Sequence, residues 1–269
     1  MVTGAGGGLG TAIALNLARR GCHLALTDFK PELLAPTAAA ARSCGVTVSE
    51  HVFDISDPAA IATFPDAVQA QHGGVAVLVN CAGVALAGSF EQVSLEEFAW
   101  LFDINFWSVV RMTKAFLPLL KQASQAQIVN LSSIFGLVGT GGQVAYSASK
   151  FAIRSVSESL HQEFEVSCPH IGVTSVHPAG VRTPIARNTR VAAGMPQEAV
   201  DRDLWERPLT DPPEVAAETI VNALIHRKKR VLVGKLAVMA DIVQRITPAH
   251  YSAVFRRAMG GRPPKDKQD

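Results

Sequence analysis

The sequence has little net charge, no long apolar run and no secretion signal. Its 25 lysines and arginines nearly balance 23 aspartates and glutamates, and the resulting net charge of +2 is too small to indicate nucleic acid as the main partner. No uninterrupted apolar stretch approaches the length of a membrane span, and the amino terminus lacks a basic segment followed by an apolar core. We therefore expect a cytoplasmic protein that has no membrane span and does not bind nucleic acid.

Paired cysteines are also missing. Cys22, Cys44, Cys81 and Cys168 form no C-x-x-C motif and lie among aliphatic neighbours. This pattern is typical of free thiols in a reducing compartment, so we predict no metal site.

What the chain does have is a regular alternation of short apolar runs and longer helical patterns. With 48% hydrophobic and 18% charged residues over 269 positions, it can bury one sizeable core, which excludes a disordered or fibrous protein. The alternation continues from HLALTD, ending at Asp28, to RVLVG, ending at Gly234. It predicts an α/β protein with a doubly wound parallel sheet, one domain over residues 1–259, and a disordered tail at 260–269.

Two segments interrupt or follow this alternation. Residues 186–212 contain glycine, proline and mixed charges, and we interpret them as a substrate loop, with a plain surface connection as the alternative. Met195, Leu204 and Trp205 in this loop favour an apolar substrate of moderate size, although the same residues would serve equally to pack the loop itself. A helical apolar stripe after residue 230 is most simply explained by core or interface packing.

A glycine loop, TGAGGGLG, stands almost at the start of the chain and runs into a helical pattern. The N-terminus of a helix offers unpaired N–H groups and the positive end of the helix dipole, and glycine leaves room for a phosphate there. Gly4, Gly8, Leu9 and Gly10 are therefore candidate cofactor contacts, with an ordinary tight turn as the alternative.

An acidic residue supports the cofactor interpretation. Asp28 ends the next apolar run, 18 residues after Gly10, where a carboxylate can accept both hydroxyls of an adenosine ribose. It would repel a 2′-phosphate, and Phe29 rather than a basic residue follows it. We predict NAD as the cofactor, with NADP as the alternative because Lys30 is close by.

The stretch VAYSASKFAIRSVSESL places Tyr146 and Lys150 four residues apart, hence on one helix face. A nearby ammonium favours a phenolate and lowers the pKa of a tyrosine, which can then exchange a proton with a substrate oxygen. Ser133 ends the apolar run IVNLSS at the ligand-binding edge of the predicted sheet, where its hydroxyl could orient that oxygen. Ser132 is the alternative, but adjacent strand side chains point to opposite faces, so only one can serve.

These motifs, taken in order, resemble those of the short-chain dehydrogenase/reductase family, in its compact single-domain branch with a Rossmann fold. The match is collinear over nearly the whole chain. It comprises the glycine loop, Asp28, VFDIS with Asp54, VNCAG with Asn80 to Gly83, Asn105 in DIN, Ser133, the Tyr146/Lys150 pair, and HPAGVRTP at 177–184.

The resemblance implies a role for each matching residue. The implied catalytic set is Asn105, Ser133, Tyr146 and Lys150, with Asn105 bending a helix and supporting a proton-relay water. Tyr146 and Lys150 would also contact the cofactor, together with Asp54, Ile55, Asn80, Ala82, Gly83, Pro178, Gly180, Val181 and Thr183.

The sequence also departs from the family pattern. Cys81 stands where a second asparagine is usual, and Ala179 stands where glycine is frequent. The position of Gly7 in the glycine loop also fits the extended, epimerase-like branch. Only Met1 and Val2 precede the loop, which underfills the first strand, so we expect that natural residues precede Met1.

We therefore expect an NAD(P)-dependent oxidoreductase that interconverts a secondary alcohol and a ketone or aldehyde. A non-catalytic NAD-sensing or scaffolding protein on the same fold is the alternative, followed by an epimerase or dehydratase that retains its NAD. The resemblance further implies a homodimer or homotetramer that uses the helical regions 94–122 and 145–166.

Overall fold

The computed structural model of the chain describes residues 1–195 and 209–258. Its strands, in chain order, are β1 (Val2–Thr3), β2 (Leu24–Asp28), β3 (Val48–Val52), β4 (Val77–Asn80), β5 (Leu86–Ala87), β6 (Ala126–Leu131), β7 (Ile171–Pro178), β8 (Arg190–Val191) and β9 (Arg230–Val233). Seven of them form one parallel sheet in the order β3-β2-β1-β4-β6-β7-β9, and β5 pairs with β8 separately. The predicted doubly wound Rossmann architecture is confirmed.

Helices connect the strands. They are α1 (Gly8–Arg19), α2 (Pro31–Arg42), α3 (Pro58–His72), α4 (Leu95–Phe102), α5 (Ser108–Gln122), α6 (Val144–Ser167), α7 (Pro213–Ile225), α8 (Lys235–Ile246) and α9 (Tyr251–Ala258). A π-helical segment, Asp103–Trp107, joins α4 to α5, and a 3₁₀ turn, Ile134–Gly136, follows β6. None of the helices in the described ranges is long and apolar enough to cross a membrane.

The central strands are apolar because helices cover both faces of the sheet. All six residues of β6 are buried, and alternate residues serve different cores. Val129 packs with Ile13 of α1 and Ile220 of α7 on one face. Ile128 packs with Phe116 of α5 on the other face.

The shortest strand of the main sheet occupies its centre. β1 has two residues, both buried, and pairs with β2 on one side and β4 on the other. The amino group of Met1 donates to the carbonyl of Val77 at 2.9 Å, and the carbonyl of Met1 accepts from Val79. The strand order reverses between β1 and β4, and in open α/β sheets ligands bind at the carboxyl edge of such a switch point.

Parts of the predicted substrate loop are well anchored. β8 pairs with β5, Arg190 forms an ion pair with Glu97 at 3.4 Å, and the backbone N–H of Ala193 donates to the same carboxylate. Leu204 and Trp205, as well as the tail at 260–269, lie outside the described residues. The interpretation of 186–212 as a substrate loop therefore stays a prediction.

Candidate active site

The glycine loop joins β1 to α1 at the switch point. Gly7 is the N-cap of α1 and supplies no side-chain hydrogen bond to the first turn, so no cap side chain occupies those N–H groups. Gly4 has a φ of +63°, and a Cβ there would lie 2.8 Å from the Cα of Ala82. A Cβ on Gly10 would overlap the carbonyl oxygen of Gly4. The loop thus fits a phosphate group at a helix N-terminus.

Asp28 ends β2 beside this loop. Its Oδ2 accepts the backbone N–H of Gly6 at 2.9 Å, and its Oδ1 accepts the N–H of Phe29 at 2.9 Å. The ammonium of Lys30 lies 5.2 Å from the ring centroid of Phe29, a cation–π contact. The carboxylate is therefore fixed at the loop, where an adenosine ribose would meet a negative charge.

The next strands supply the other predicted adenosine contacts. The Asp54 carboxylate is exposed after β3 and accepts from the backbone N–H and hydroxyl of Ser56. Ile55, half-buried, follows it along the chain. The amide of Asn80 is buried and donates to Thr113 and to Asn130, at 2.9 Å from the latter, so this side chain is held inside the protein.

The VNCAG turn after β4 is hydrogen-bonded to Thr3 of β1, a residue that the sequence analysis did not single out. The hydroxyl of Thr3 accepts the backbone N–H groups of Cys81 and Ala82 at 2.9 and 3.0 Å. Burial raises the pKa of the Cys81 thiol to about 12, so Cys81 is a neutral thiol at physiological pH. The cysteine found in place of asparagine leaves the backbone of this turn bound to β1.

The segment after β7 lies close to the start of α1. Pro178 ends β7, Gly180 has a φ of +73°, and Val181 bridges to Asp211. A Cβ on Gly8 would lie 3.1 Å from Pro184 and 3.3 Å from Thr183. The start of α1 and this segment therefore approach each other closely, as expected if both contact one extended cofactor.

Ser133 and Tyr146 meet at the carboxyl edge of the sheet. Ser133 caps the 3₁₀ turn after β6, and its hydroxyl lies beside the phenol of Tyr146 near the start of α6, where it lowers the tyrosine pKa. The hydroxyl of Ser132 instead donates to the carbonyl of Lys150 at 2.8 Å. Of the two adjacent serines, Ser133 is thus the one that contacts the tyrosine.

The pKa of Tyr146 differs from the expectation based on Lys150. Burial raises it to about 12, and the hydrogen bond from Ser133 offsets only part of that effect. The expected lowering by a neighbouring ammonium is wrong for the protein alone, because desolvation of the phenolate is the larger cause. Tyr146 is therefore a neutral phenol at pH 7, ready to donate a proton.

Lys150 lies below the tyrosine ring. Its Nζ is 5.5 Å from the ring centroid and donates to the carbonyl of Leu131 at 3.0 Å. Burial lowers its pKa to about 8, so at pH 7 the ammonium form still predominates, but by less than for a lysine in water. A Cβ on Gly83 would lie 3.4 Å from the same Nζ.

Asn105 lies in the π-helical segment, in agreement with the helix irregularity that the resemblance implies at this residue. Its amide exchanges two hydrogen bonds with the backbone of Val84, at 2.8 and 3.0 Å, and donates to the hydroxyl of Ser149 at 3.1 Å. Asn105 thereby ties the VNCAG turn to α6. Ser149 gave no signal in the sequence, because its role depends on tertiary contacts.

Comparisons with known proteins agree with the fold. The family model for short chain dehydrogenases matches residues 1–193. An oxidoreductase named SadH from Mycobacterium tuberculosis is 39% identical over 251 residues, covering 93% of this chain and 91% of its own. Mouse epidermal retinol dehydrogenase 2 is 29% identical, covering 97% of this chain and 84% of its own.

A solved structure extends the comparison to three dimensions. A short-chain dehydrogenase/reductase from Burkholderia phymatum, crystallised with NAD, superposes with a TM-score of 0.84 at 28% identity. The superposition covers 92% of each chain.

Proposed function

Because the chain belongs to the short-chain dehydrogenase family and is an oxidoreductase of that type, we propose that it interconverts a secondary alcohol and a ketone or aldehyde with NAD. The observation that carries this proposal is the position of Lys150 beneath the ring of Tyr146, with Ser133 beside the phenol, at the carboxyl edge of the sheet.

The residues around the groove fit a nicotinamide dinucleotide. Gly4, Gly8, Leu9 and Gly10 would hold its pyrophosphate, and Asp28 would bind the adenosine ribose. Asp54, Ile55, Ala82, Gly83 and the backbone of Asn80 would line the adenosine side. Pro178, Gly180, Val181 and Thr183 would contact the nicotinamide end. When bound, the nicotinamide supplies the hydride acceptor for oxidation and the hydride donor for reduction.

The residues of the chain move and hold the proton. In reduction, the neutral phenol of Tyr146 donates its proton to the substrate carbonyl oxygen, which the Ser133 hydroxyl orients. In oxidation, Tyr146 must first lose its own proton, and the phenolate, stabilised by the Lys150 ammonium, then accepts the alcohol proton. Since burial opposes that phenolate, the positive charge of Lys150 is needed most in the oxidative direction.

The charge at the ribose end supports NAD over NADP. The Asp28 carboxylate is fixed by two backbone N–H groups, and a 2′-phosphate placed against it would meet like charge. Lys30 contacts Phe29. The cofactor assignment therefore depends on the carboxylate of Asp28.

The surroundings of Tyr146 support an apolar substrate. Tyr146 belongs to a cluster with buried Leu101 and Ala192, against which Ile185 and Met195 pack while half-buried. The ring of Phe135 lies edge-on to Tyr146, with centroids 6.1 Å apart. Substrate carbons near the reacting oxygen would thus be received by apolar side chains.

The test is a comparison of two tyrosine variants on a panel of apolar secondary alcohols and ketones. We predict that Tyr146→Phe loses most of its turnover, about 100-fold or more, because the proton donor is removed, while it still binds NADH. Tyr251→Phe is the matched control, because it removes the other tyrosine hydroxyl of the chain, which bonds the backbone of Gly139. Tyr146→Phe with the turnover of the wild type would overturn the proposal. NADH binding without turnover of any panel member would favour a non-catalytic NAD-binding protein.

A further inference from the structure

His177 is a buried imidazole next to the site that the proposed chemistry does not use. It lies near the carboxyl end of β7 and is 0% exposed. Its Nδ1 lies 3.1 Å from the carbonyl oxygen of Ser133, and its Nε2 lies 3.1 Å from the hydroxyl of Ser175. Both ring nitrogens are therefore engaged.

The partners determine the tautomer of the ring. A carbonyl oxygen can only accept a hydrogen bond, so Nδ1 of His177 must carry a proton and donate it to the carbonyl of Ser133. Burial lowers the pKa of His177 to about 4, so the ring is neutral at physiological pH and Nε2 carries no proton. The hydroxyl of Ser175 must then donate to Nε2, so each ring nitrogen has one hydrogen-bond partner.

Ser133 needs such a tether because it lies just past the end of the strand ladder. β6 ends at Leu131, and the last bond across to β7 is from the N–H of Ser132 to the carbonyl of Val176, at 2.9 Å. The carbonyl of Ser133 accepts from Gly136 within the same turn and from His177 across the sheet. Of these two bonds, the one from His177 connects Ser133 to a strand.

We propose that His177 is a positioning residue for Ser133: its Nδ1–H holds the Ser133 backbone so that the Ser133 hydroxyl stays in hydrogen-bonding contact with Tyr146. His177 acts through Ser133, since its ring nitrogens contact Ser133 and Ser175. Its effect on turnover rests on the proposed function, whereas its effect on the Ser133–Tyr146 bond does not.

The direct test observes Tyr146 without any substrate. The chain has two tyrosines, so in a Tyr251→Phe background labelled with ¹³C at tyrosine Cζ a single resonance reports on the phenol of Tyr146. We expect Ser133→Ala and His177→Leu to move this resonance in the same direction. His177→Asn should restore it, because the asparagine Nδ2 can occupy the place of the donating Nδ1.

Two further variants separate positioning from general damage. His177→Gln keeps a nitrogen near the Nε2 position but not at Nδ1, so it should behave like His177→Leu. Ser175→Ala disturbs the same buried pocket while leaving the Nδ1 bond, so its resonance should stay near that of the wild type. A wild-type resonance in both His177→Leu and His177→Gln would overturn the proposal, as would an equal displacement in Ser175→Ala.

Kinetics supply the second readout. In His177→Leu we expect kcat to fall about tenfold, because small displacements of an orienting group cost one to two orders of magnitude. The NADH dissociation constant should stay unchanged, and His177→Asn should recover most of the loss. If Tyr146→Phe proved fully active, the proposed function would fail, but the tyrosine resonance would still decide whether His177 positions Ser133.

Discussion

At the scale of single residues, burial rather than charge decides the state of the site. Burial raises the pKa of Tyr146 to about 12 and lowers that of Lys150 to about 8, so both groups favour their neutral forms more than in water. Sequence reasoning identified both residues and their common helix face. The expected direction of the Tyr146 pKa shift was wrong, because the burial of this side chain depends on residues of α4 and of the segment after β7.

Gly83 offers a test of how tightly this site is packed. A Cβ there would lie 3.2 Å from Oδ1 of Asn105, which must shift by a few tenths of an ångström, whereas Nζ of Lys150 at 3.4 Å would be in ordinary contact. We predict that Gly83→Ala lowers kcat by about tenfold, because a displaced Asn105 amide holds Ser149 of α6, and with it the helix that carries Tyr146, less well. Steady-state kinetics would measure this.

The control for that variant is Gly141→Ala, since a Cβ at Gly141 meets no atom within 4 Å. It should keep the kcat of the wild type. Equal activity in the two alanine variants would contradict the packing argument.

At the scale of elements, much of the fold was predictable and some of the site was not. The alternation of apolar runs and helical patterns predicted an α/β protein with a parallel sheet, and the main sheet with its connecting helices has that form. The pairing of β5 with β8 was not predictable, because a two-residue strand has too little sequence to show a period. The helix irregularity at Asn105 was implied by the family resemblance alone, and the structure shows it as a π-helical segment.

The junction of β1 and α1 yields a prediction about one element. A Cβ on Gly10 would overlap the Gly4 carbonyl, so Gly10→Ala must push the glycine loop away from α1. We expect a loss of about 1–3 kcal/mol in the free energy of unfolding, as for other overpacked sites, together with weaker NADH binding. Chemical denaturation and fluorescence titration would measure the two effects.

Gly74→Ala is the control for this variant, because a Cβ at Gly74 meets nothing within 4 Å. It should leave NADH affinity unchanged. Unchanged affinity in Gly10→Ala as well would show that the loop does not bind the cofactor.

At the scale of the whole molecule, large apolar side chains remain exposed on the helices that the family resemblance assigns to subunit contacts. Leu95 on α4 is 84% exposed and Val166 on α6 is 88% exposed, and Trp107 and Phe151 are partly exposed. These residues support the prediction of a homodimer or homotetramer. The strand order of the main sheet is that of a doubly wound architecture, which is the architecture that the sequence predicted.

The buried His177 predicts how stability depends on pH. Its pKa is lowered from 6.5 to about 4, mainly by burial and secondarily by the charges of Arg230 and Arg154, against the opposing effects of the Ser133 carbonyl and Glu158. The unfolded chain therefore binds more protons than the native protein between these pH values, and stability falls as the pH drops from 6.5 to 4. The difference corresponds to about 3 kcal/mol in the free energy of unfolding.

Thermal or chemical unfolding between pH 7 and pH 4 would check this. We predict that His177→Asn, which has no titratable ring, loses less stability over this range than the wild type. Parallel stability curves for the two proteins would show that His177 is not buried as a neutral ring.

The most direct test of the NAD assignment is a pair of fluorescence titrations of the wild-type protein, one with NADH and one with NADPH at the same ionic strength. We predict that NADH binds at least about tenfold more tightly, equivalent to about 1.4 kcal/mol, because the fixed carboxylate of Asp28 accepts ribose hydroxyls and repels a 2′-phosphate. Tighter binding of NADPH, or binding of neither cofactor, would contradict the assignment of this site as an NAD-dependent dehydrogenase centre.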